Sequence, residues 1–238
     1  MLLKDISFKT PEENILFDEV LLHLAEKGSQ GEVLRFWESF QFFIVLGKTG
    51  LEDEDVRVSR VIQEKIPVLR RSSGGGTVVQ GKGCLNFSLI LSKQSHLALN
   101  DLGKSYAYIL GKVIEALSRL NVDAVFKPIS DLALRASEKK FSGNAQRRAR
   151  NFILHHGTIL YDFDLSVIER FLKMPEKVPE YRRGRTHSDF VVNISCGREE
   201  IKSAFKKIFN VEEEEQTIDM REQQALKGFL EKKNIRLA

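Results

Sequence analysis

The sequence predicts an α/β (α+β) fold in which a mixed, mainly antiparallel sheet is flanked by helices. Three observations predict it. Strand-like runs follow one another without an intervening helix at Val68 to Arg71, Thr77 to Gln80 and Leu85 to Leu91. Helical segments are inserted singly among the strand runs, which argues against a regular parallel βαβ array. The glycine clusters, Gly74 to Gly76 and then Gly81 and Gly83, have neither GxGxxG nor Walker spacing, so no dinucleotide fold is supported.

Each element has a local reason. Thr10-Pro11-Glu12-Glu13 supplies an N-cap hydroxyl, a proline at the first helical position and a glutamate at the third, ahead of Ile15, Leu16, Val20, Leu21 and Leu24. That predicts a helix ending near Gly28. Val33 to Trp37 and Phe42 to Leu46 are β-rich runs split by polar residues, as in a hairpin. Acidic Glu52 to Asp55 opens a helix through Ile66 that Pro67 stops, its negative charges at the favourable end. An amphipathic helix runs from about Leu99 to Leu120, with Ile109, Leu110, Val113 and Leu117 at helical spacing. Val125 to Ser130, Leu132 to Ala136 and Phe152 to Tyr161 are further strands, and the polar, basic stretch 139–151 between the last two reads as a loop. Asp164 caps a helix through Leu172. Pro175 to Ser188 is an arginine-rich loop, and helices near Glu199 to Phe209 and at the C-terminus flank an acidic run, Glu212 to Glu215.

A chain of 238 residues, 42% hydrophobic and 29% charged, can build a sizeable core, and disordered, collagen-like and membrane classes are excluded. The net charge of +4 favours an anionic partner without specifying one. Cys84 and Cys196 stand far apart with no CxxC pair, which excludes a disulfide framework and a four-cysteine zinc site and suits a reducing compartment. With no signal-like N-terminus and no membrane span, the expected localisation is cytoplasmic.

Three segments carry chemistry. In Arg70-Arg71-Ser72-Ser73-Gly74-Gly75-Gly76-Thr77-Val78, three successive glycines cost backbone entropy, which a close ligand can offset through exposed N–H groups. Arg70 or Arg71 would add charge-assisted bonds to phosphate. The alternative is a glycine-rich turn on a basic surface. In Lys139-Lys140-Phe141-Ser142-Gly143-Asn144-Ala145, an ammonium sits three residues before glycine, a pairing suited to holding phosphate or to being merely solvated. His155 and His156 lie on a strand and face opposite sides, so they do not share a metal, and no HxxxH or HExxH spacing exists; no metal ligand set is predicted.

Taken together, RRSSGGGTVVQGKGCLNFS (Arg70 to Ser88), SDLAL (Ser130 to Leu134), KKFSGNAQRR (Lys139 to Arg148) and HHGTIL (His155 to Leu160) resemble, in order, the motifs of the lipoate-protein ligase family. The resemblance runs from Phe36 to about Asn193 and implies a catalytic domain like that of biotin ligases, a fold related to class II aminoacyl-tRNA synthetases. It further implies activation of lipoate or octanoate by ATP, with Mg2+ as part of the nucleotide complex. Transfer to a lysine of a carrier domain would follow, in the glycine cleavage H protein or an E2 subunit of a 2-oxoacid dehydrogenase. On this resemblance Lys140 is the catalytic residue, touching the lipoate carboxylate and the α-phosphate. Arg70 and Ser72 lie near the acyl-adenylate. Gly75 and Gly76 form the floor of the acyl tunnel, with Thr77 and Val78 beside it and His156 along the chain. Asp131 touches nucleotide or magnesium, and Ser142, Gly143 and Ala145 line the adenylate with their backbone. Val78, Phe87 and Leu89 are expected to line an apolar slot for eight carbons.

Gln80, Gly81 and Cys84 depart from residues common in the family. Residues 1–195 are expected to form the catalytic domain and 196–238 a short helical extension, too small for the accessory domain that many such ligases carry, so a separate accessory subunit is a possible partner. The rival reading is an octanoyl or lipoyl transferase of the same fold, which works through a cysteine thioester without ATP; no cysteine lies near Pro128 to Asp131. A non-enzymatic binding module using Arg147, Arg148, Arg150, Arg182, Arg183 and Arg185 is disfavoured, because few aromatics interleave with them to stack on bases. Those arginines suit electrostatic steering of an acidic carrier. No nucleic acid or membrane partner is expected.

Overall fold

The computed structural model describes residues 1–176, 178–232 and 235–236. Along the chain run β1 (Leu2–Asp5), α1 (Pro11–Glu26), β2 (Val33–Trp37), β3 (Phe43–Leu46), α2 (Glu52–Asp55), α3 (Val58–Gln63), β4 (Val68–Arg70), β5 (Val78–Gln80) and β6 (Cys84–Ser92). There follow α4 (Leu102–Ser118), β7 (Ala124–Lys127), β8 (Asp131–Leu134), β9 (Lys140–Arg148), β10 (Phe152–Leu160), α5 (Ser166–Phe171), α6 (His187–Phe190), α7 (Arg198–Ile208), β11 (Glu213–Glu215) and α8 (Met220–Lys232). The main sheet has the order β11-β1-β2-β6-β10-β9-β8-β7, antiparallel from β2 to β7 and parallel where β1 meets β2 and β11. A smaller sheet, β4-β3-β5, lies beside it. The expected mixed, mainly antiparallel fold is what the chain adopts.

Strand alternation sorts residues between the two faces of the main sheet. Leu34 and Phe36 of β2, and Leu85, Phe87 and Leu89 of β6, join the core under α4 and α7. On the opposite face Val33 and Ile90 pack with α1 and α8. Helix α1 starts with the expected capping box: the Glu13 N–H donates to Thr10 Oγ1, and the Glu13 carboxylate accepts from the Thr10 N–H. Its sheet-facing side carries Asp18, which meets Arg35 in a buried ion pair, Nη1 to Oδ1 2.6 Å.

Five expectations change. The runs at 33–37 and 42–46 do not form a hairpin: β2 is buried throughout and takes β1 and β6 as neighbours, whereas β3 pairs with β4 and β5. The helix expected over 52–66 is two short ones, because Val56 leaves the helix to bridge Leu172 and joins the apolar cluster with α5. The basic loop at 139–151 is largely strand β9, paired with β8 on one side and β10 on the other. The acidic run at 212–215 holds β11, which extends the sheet beside β1. The loop at 175–188 contains a 3-10 turn at Glu180–Arg182, and α6 begins at His187; its residue 177 lies outside the described residues. No helix among the described residues is long and apolar enough to cross a membrane.

Candidate active site

The β9–β10 ladder runs from Arg148 opposite Ile153 to Asn144 opposite Gly157 and goes no further. Beyond that point β10 continues along β6 and β9 continues along β8, so the strands part. Two adjoining cavities occupy the fork, a slot of about 140 Å³ and a larger one of about 860 Å³. Gly157 is required at the branch: a Cβ there would stand 1.9 Å from Asn144 Oδ1. Asn144 in turn donates through Nδ2 to the Ser130 carbonyl at 2.8 Å, fixing the loop before Asp131.

Lys140 and Asp131 line both cavities, as do Gly75, Gly76, Thr77, Val78 and Gly143. The Lys140 ammonium meets Asp131 Oδ1 at 2.8 Å and is about a quarter exposed. Tyr181 donates its hydroxyl to the other Asp131 oxygen at 2.7 Å. Burial first, and then the Asp131 charge, push the Tyr181 phenol well above its ordinary range, so it stays a donor. Gly143 leaves room for the ammonium, since a Cβ would come 3.0 Å from Lys140 Nζ. Ser142 lines the larger cavity and Ala145 the slot. The segment does not present a loop of free N–H groups, because Ser142 and Gly143 are in register with Leu132 and Asp131, and Ala145 with His156.

The slot runs between α1, the smaller sheet and the faces of β6 and β10. Ile15, Trp37, Val45 and Val78 supply apolar wall, and Asp18, Arg71, Asn86, Ser88 and His156 supply polar groups. His156 Nε2 lies 2.6 Å from Ser73 Oγ, and its Nδ1 lies 3.8 Å from Asp18 Oδ2. His155, on the opposite face as expected, stacks on Phe87; burial, and then His156, push its pKa down to about 3, so it is neutral. Phe87 and Leu89 do not line the slot. They belong to the opposite face of β6, and Asn86 and Ser88 take the positions expected of them.

The structure also shifts the two residues expected near the acyl-adenylate. Arg70 turns away and donates through Nη1 to the carbonyls of Gly47 and Gly50, at 3.0 and 2.7 Å, and neither Arg70 nor Ser72 lines either of these two cavities. Of their neighbours, Arg71 lines the slot and Ser73 stands behind it. Arg71 is buried and donates through Nη2 to the carbonyls of Gly74 and Gly76, at 2.7 and 2.8 Å, and through Nε to Ser73 Oγ at 3.0 Å. This clamp holds the glycine run, whose Gly75 has a φ of +87°, a conformation that glycine takes without strain. The reading Arg70 or Arg71 was open in the sequence because adjacent side chains at a strand end point to opposite sides.

Cys84 is buried in an apolar cluster at the wall of the larger cavity; burial, and then Glu38, push its thiol well above the usual range. Cys196 lies elsewhere, against the core under α4 and α7. Among the described residues no group of three His, Cys, Asp or Glu could hold a metal ion. Asp131 and Asp55 both face the larger cavity, where they could meet a cation that arrives with phosphates. The six arginines do not form one basic face: Arg147 pairs with Glu19, Arg182 is buried, and Arg150 and Arg183 are the exposed ones.

The family model described as "Lipoyl protein ligase A/B catalytic domain" matches residues 10–217. A "Probable lipoate-protein ligase A" of Mycoplasma pneumoniae is 32% identical over 164 residues, 69% of this chain and 46% of that protein. The chain thus spans about half the length of the curated relatives of this kind. An "Octanoyltransferase LipM" of Staphylococcus aureus is 26% identical over 235 residues, 86% of this chain and 85% of that protein. Among solved structures, a bi-partite lipoate protein ligase studied with its E2 lipoyl domain, from Thermoplasma acidophilum, superposes with a TM-score of 0.80 at 23% identity, covering 98% of this chain and 92% of that one. A lipoate-protein ligase A bound with ATP gives 0.78 at 23% identity, covering 97% and 94%. At such identities the likeness speaks for the fold.

Proposed function

Because the chain belongs to the family of lipoyl protein ligase A/B catalytic domains, we propose that it activates lipoate or octanoate with ATP and transfers the acyl group to a lysine of a lipoyl carrier domain. The observation that carries this reading is the Lys140 ammonium, held by Asp131 where an acyl-sized slot opens into a larger cavity. An acid carboxylate reaching out of the slot would meet that ammonium. Its oxygen would attack the α-phosphorus of ATP bound as its magnesium complex in the larger cavity, and pyrophosphate would leave. The carrier amine would then attack the acyl carbonyl and release AMP. In both steps negative charge develops beside Lys140, and a fixed cation lowers the barrier. No side-chain nucleophile is needed.

In this reading Gly75, Gly76, Thr77, Val78 and His156 contact the acyl chain, with Arg71 taking the part first expected of Arg70 and Ser73 holding Arg71 and His156 from behind. Asp131, Ser142, Gly143 and Ala145 border the nucleotide end. All these contacts fall within 1–195, the stretch we assign to catalysis, and 196–238 would be its extension. Carrier proteins of the H-protein or E2 kind are the proposed acceptors. The named bi-partite relative supports a separate accessory subunit. Two free cysteines suit a cytoplasmic setting.

The transferase alternative draws support from the LipM relative, but it needs a thiolate. Cys84 is buried with its pKa raised, which opposes ionisation. Cys84→Ser is expected to retain ATP-dependent acylation within about threefold, the size of a small packing change. Incubation with ATP, lipoate and a carrier domain, read by carrier mass and pyrophosphate, tests the assignment. Acyl transfer from an octanoylated carrier without ATP, abolished in Cys84→Ser, would establish the transferase instead.

A further inference from the structure

We propose that the C-terminal segment at Ile235 and Arg236 sets how long an acyl chain the slot accepts, by bracing the slot wall from behind; this rests on reading the slot as the acyl site. Helix α8 packs on α1 and is tied down by the buried pair Lys4–Glu222, Nζ to Oε1 2.8 Å. After it the chain returns to the smaller sheet. The Arg70 N–H donates to the Ile235 carbonyl at 2.8 Å, and Leu69 and Arg236 form an antiparallel bridge. Arg236 Nη1 stands 3.6 Å from Glu12 Oε1 on α1.

These contacts place the Ile235 side chain against a cluster of Ile15, Trp37, Phe43, Val45 and Leu69, and on its other side against the cluster between α1 and α8. Three of those five, Ile15, Trp37 and Val45, line the slot. Ile235 does not line it, so it is a positioning residue, the layer behind the wall. Ile235 is half-buried, and removing its side chain frees space into which the residues in front of it relax, which deepens the slot. Added volume pushes them inward. A segment that sequence patterning leaves as a tail thereby becomes part of the acid specificity.

The experiment uses the full chain as wild type, Ile235→Ala, Ile235→Phe and the control Leu226→Ala, which lies in α8 in the cluster with α1 and not in the one behind the slot. ATP-dependent pyrophosphate release is measured with hexanoate, octanoate and decanoate. Ile235→Ala should raise the decanoate-to-octanoate ratio of kcat/KM about fivefold, the worth of one or two packed methylenes, through KM for the acid and not for ATP. Ile235→Phe should lower octanoate relative to hexanoate by about the same factor. Leu226→Ala should lower Tm and leave the ratios alone. Unchanged ratios in both Ile235 variants overturn the proposal, and so does an equal shift in Leu226→Ala. Trp37 is the chain's one tryptophan, so its fluorescence reports slot occupancy without catalysis. If wild type binds the acids by that signal but releases no pyrophosphate, the ligase reading fails and the binding ratios decide the Ile235 proposal; if it binds none of them, both fail.

Discussion

Lys140→Ala is expected to cut carrier acylation by about 10²–10³-fold, the usual loss when one preorganised group that stabilises developing charge is removed. The ammonium is partly exposed and its partner Asp131 keeps the Tyr181 hydroxyl, so the fold should survive with a Tm change of a few degrees at most. Lys140→Arg should recover little, because Gly143 leaves a space fitted to an ammonium and a guanidinium is a wider, planar group. Stopped assays that separate pyrophosphate release from carrier modification should find both steps slowed. A variant that acylates at a near-normal rate would remove Lys140 from the chemistry.

The second large effect is on stability. Asp18→Ala should cost about 3–5 kcal/mol in urea denaturation, because it leaves the Arg35 guanidinium buried without the carboxylate that contacts it. Arg35 keeps the Asn14 and Ile6 carbonyls at 2.8 and 3.1 Å, which satisfy N–H groups but not the charge. The double variant Asp18→Leu, Arg35→Met should be more stable than Asp18→Ala, since a filled apolar site is better than a lone buried ion. Burial opposes ionisation at Asp18, but Arg35, His156 and Ser88 outweigh it and hold the carboxyl below its ordinary value. The sign follows from that depression. Its stabilisation is present above the unfolded pKa of about 3.9 and is lost as pH falls through the lower folded value. Acid unfolding should therefore be shallower in Asp18→Asn over that window, and an identical acid limb in the two proteins would contradict the assignment.

Much of this arrangement is legible in the residues themselves. Thr10 to Glu13 announces the start of α1 through capping chemistry that needs no tertiary contact, and the glycine run before Thr77 announces a close backbone approach. Strand β9 was hidden for a physical reason. A strand that borders a cleft carries small and polar residues where a core strand carries valine and isoleucine, so Gly143, Asn144 and Gln146 read as loop although pairing with β8 at Gly143 and with β10 at Asn144 and Gln146 makes them sheet. The partner of each strand was equally hidden. Polar residues between β2 and β3 signal a turn, and only the burial of both faces of β2 shows that its neighbours must come from elsewhere. The choice between Arg70 and Arg71 depends on where the strand ends, to within a single residue, and local composition is silent on that.

The parallel pairing of β1 with β11 has a consequence for synthesis. The strand at Leu2–Asp5 has β2 for one neighbour soon after synthesis, but its other neighbour at Glu213–Glu215 and the Glu222 partner of Lys4 exist only once those residues are translated. Until α8 leaves the ribosome, the apolar side of α1 that it covers is open, and a chain released early would expose that side together with an unpaired strand edge. Premature termination before residue 213 should thus yield a product that holds its central strands yet is a substrate for chaperones.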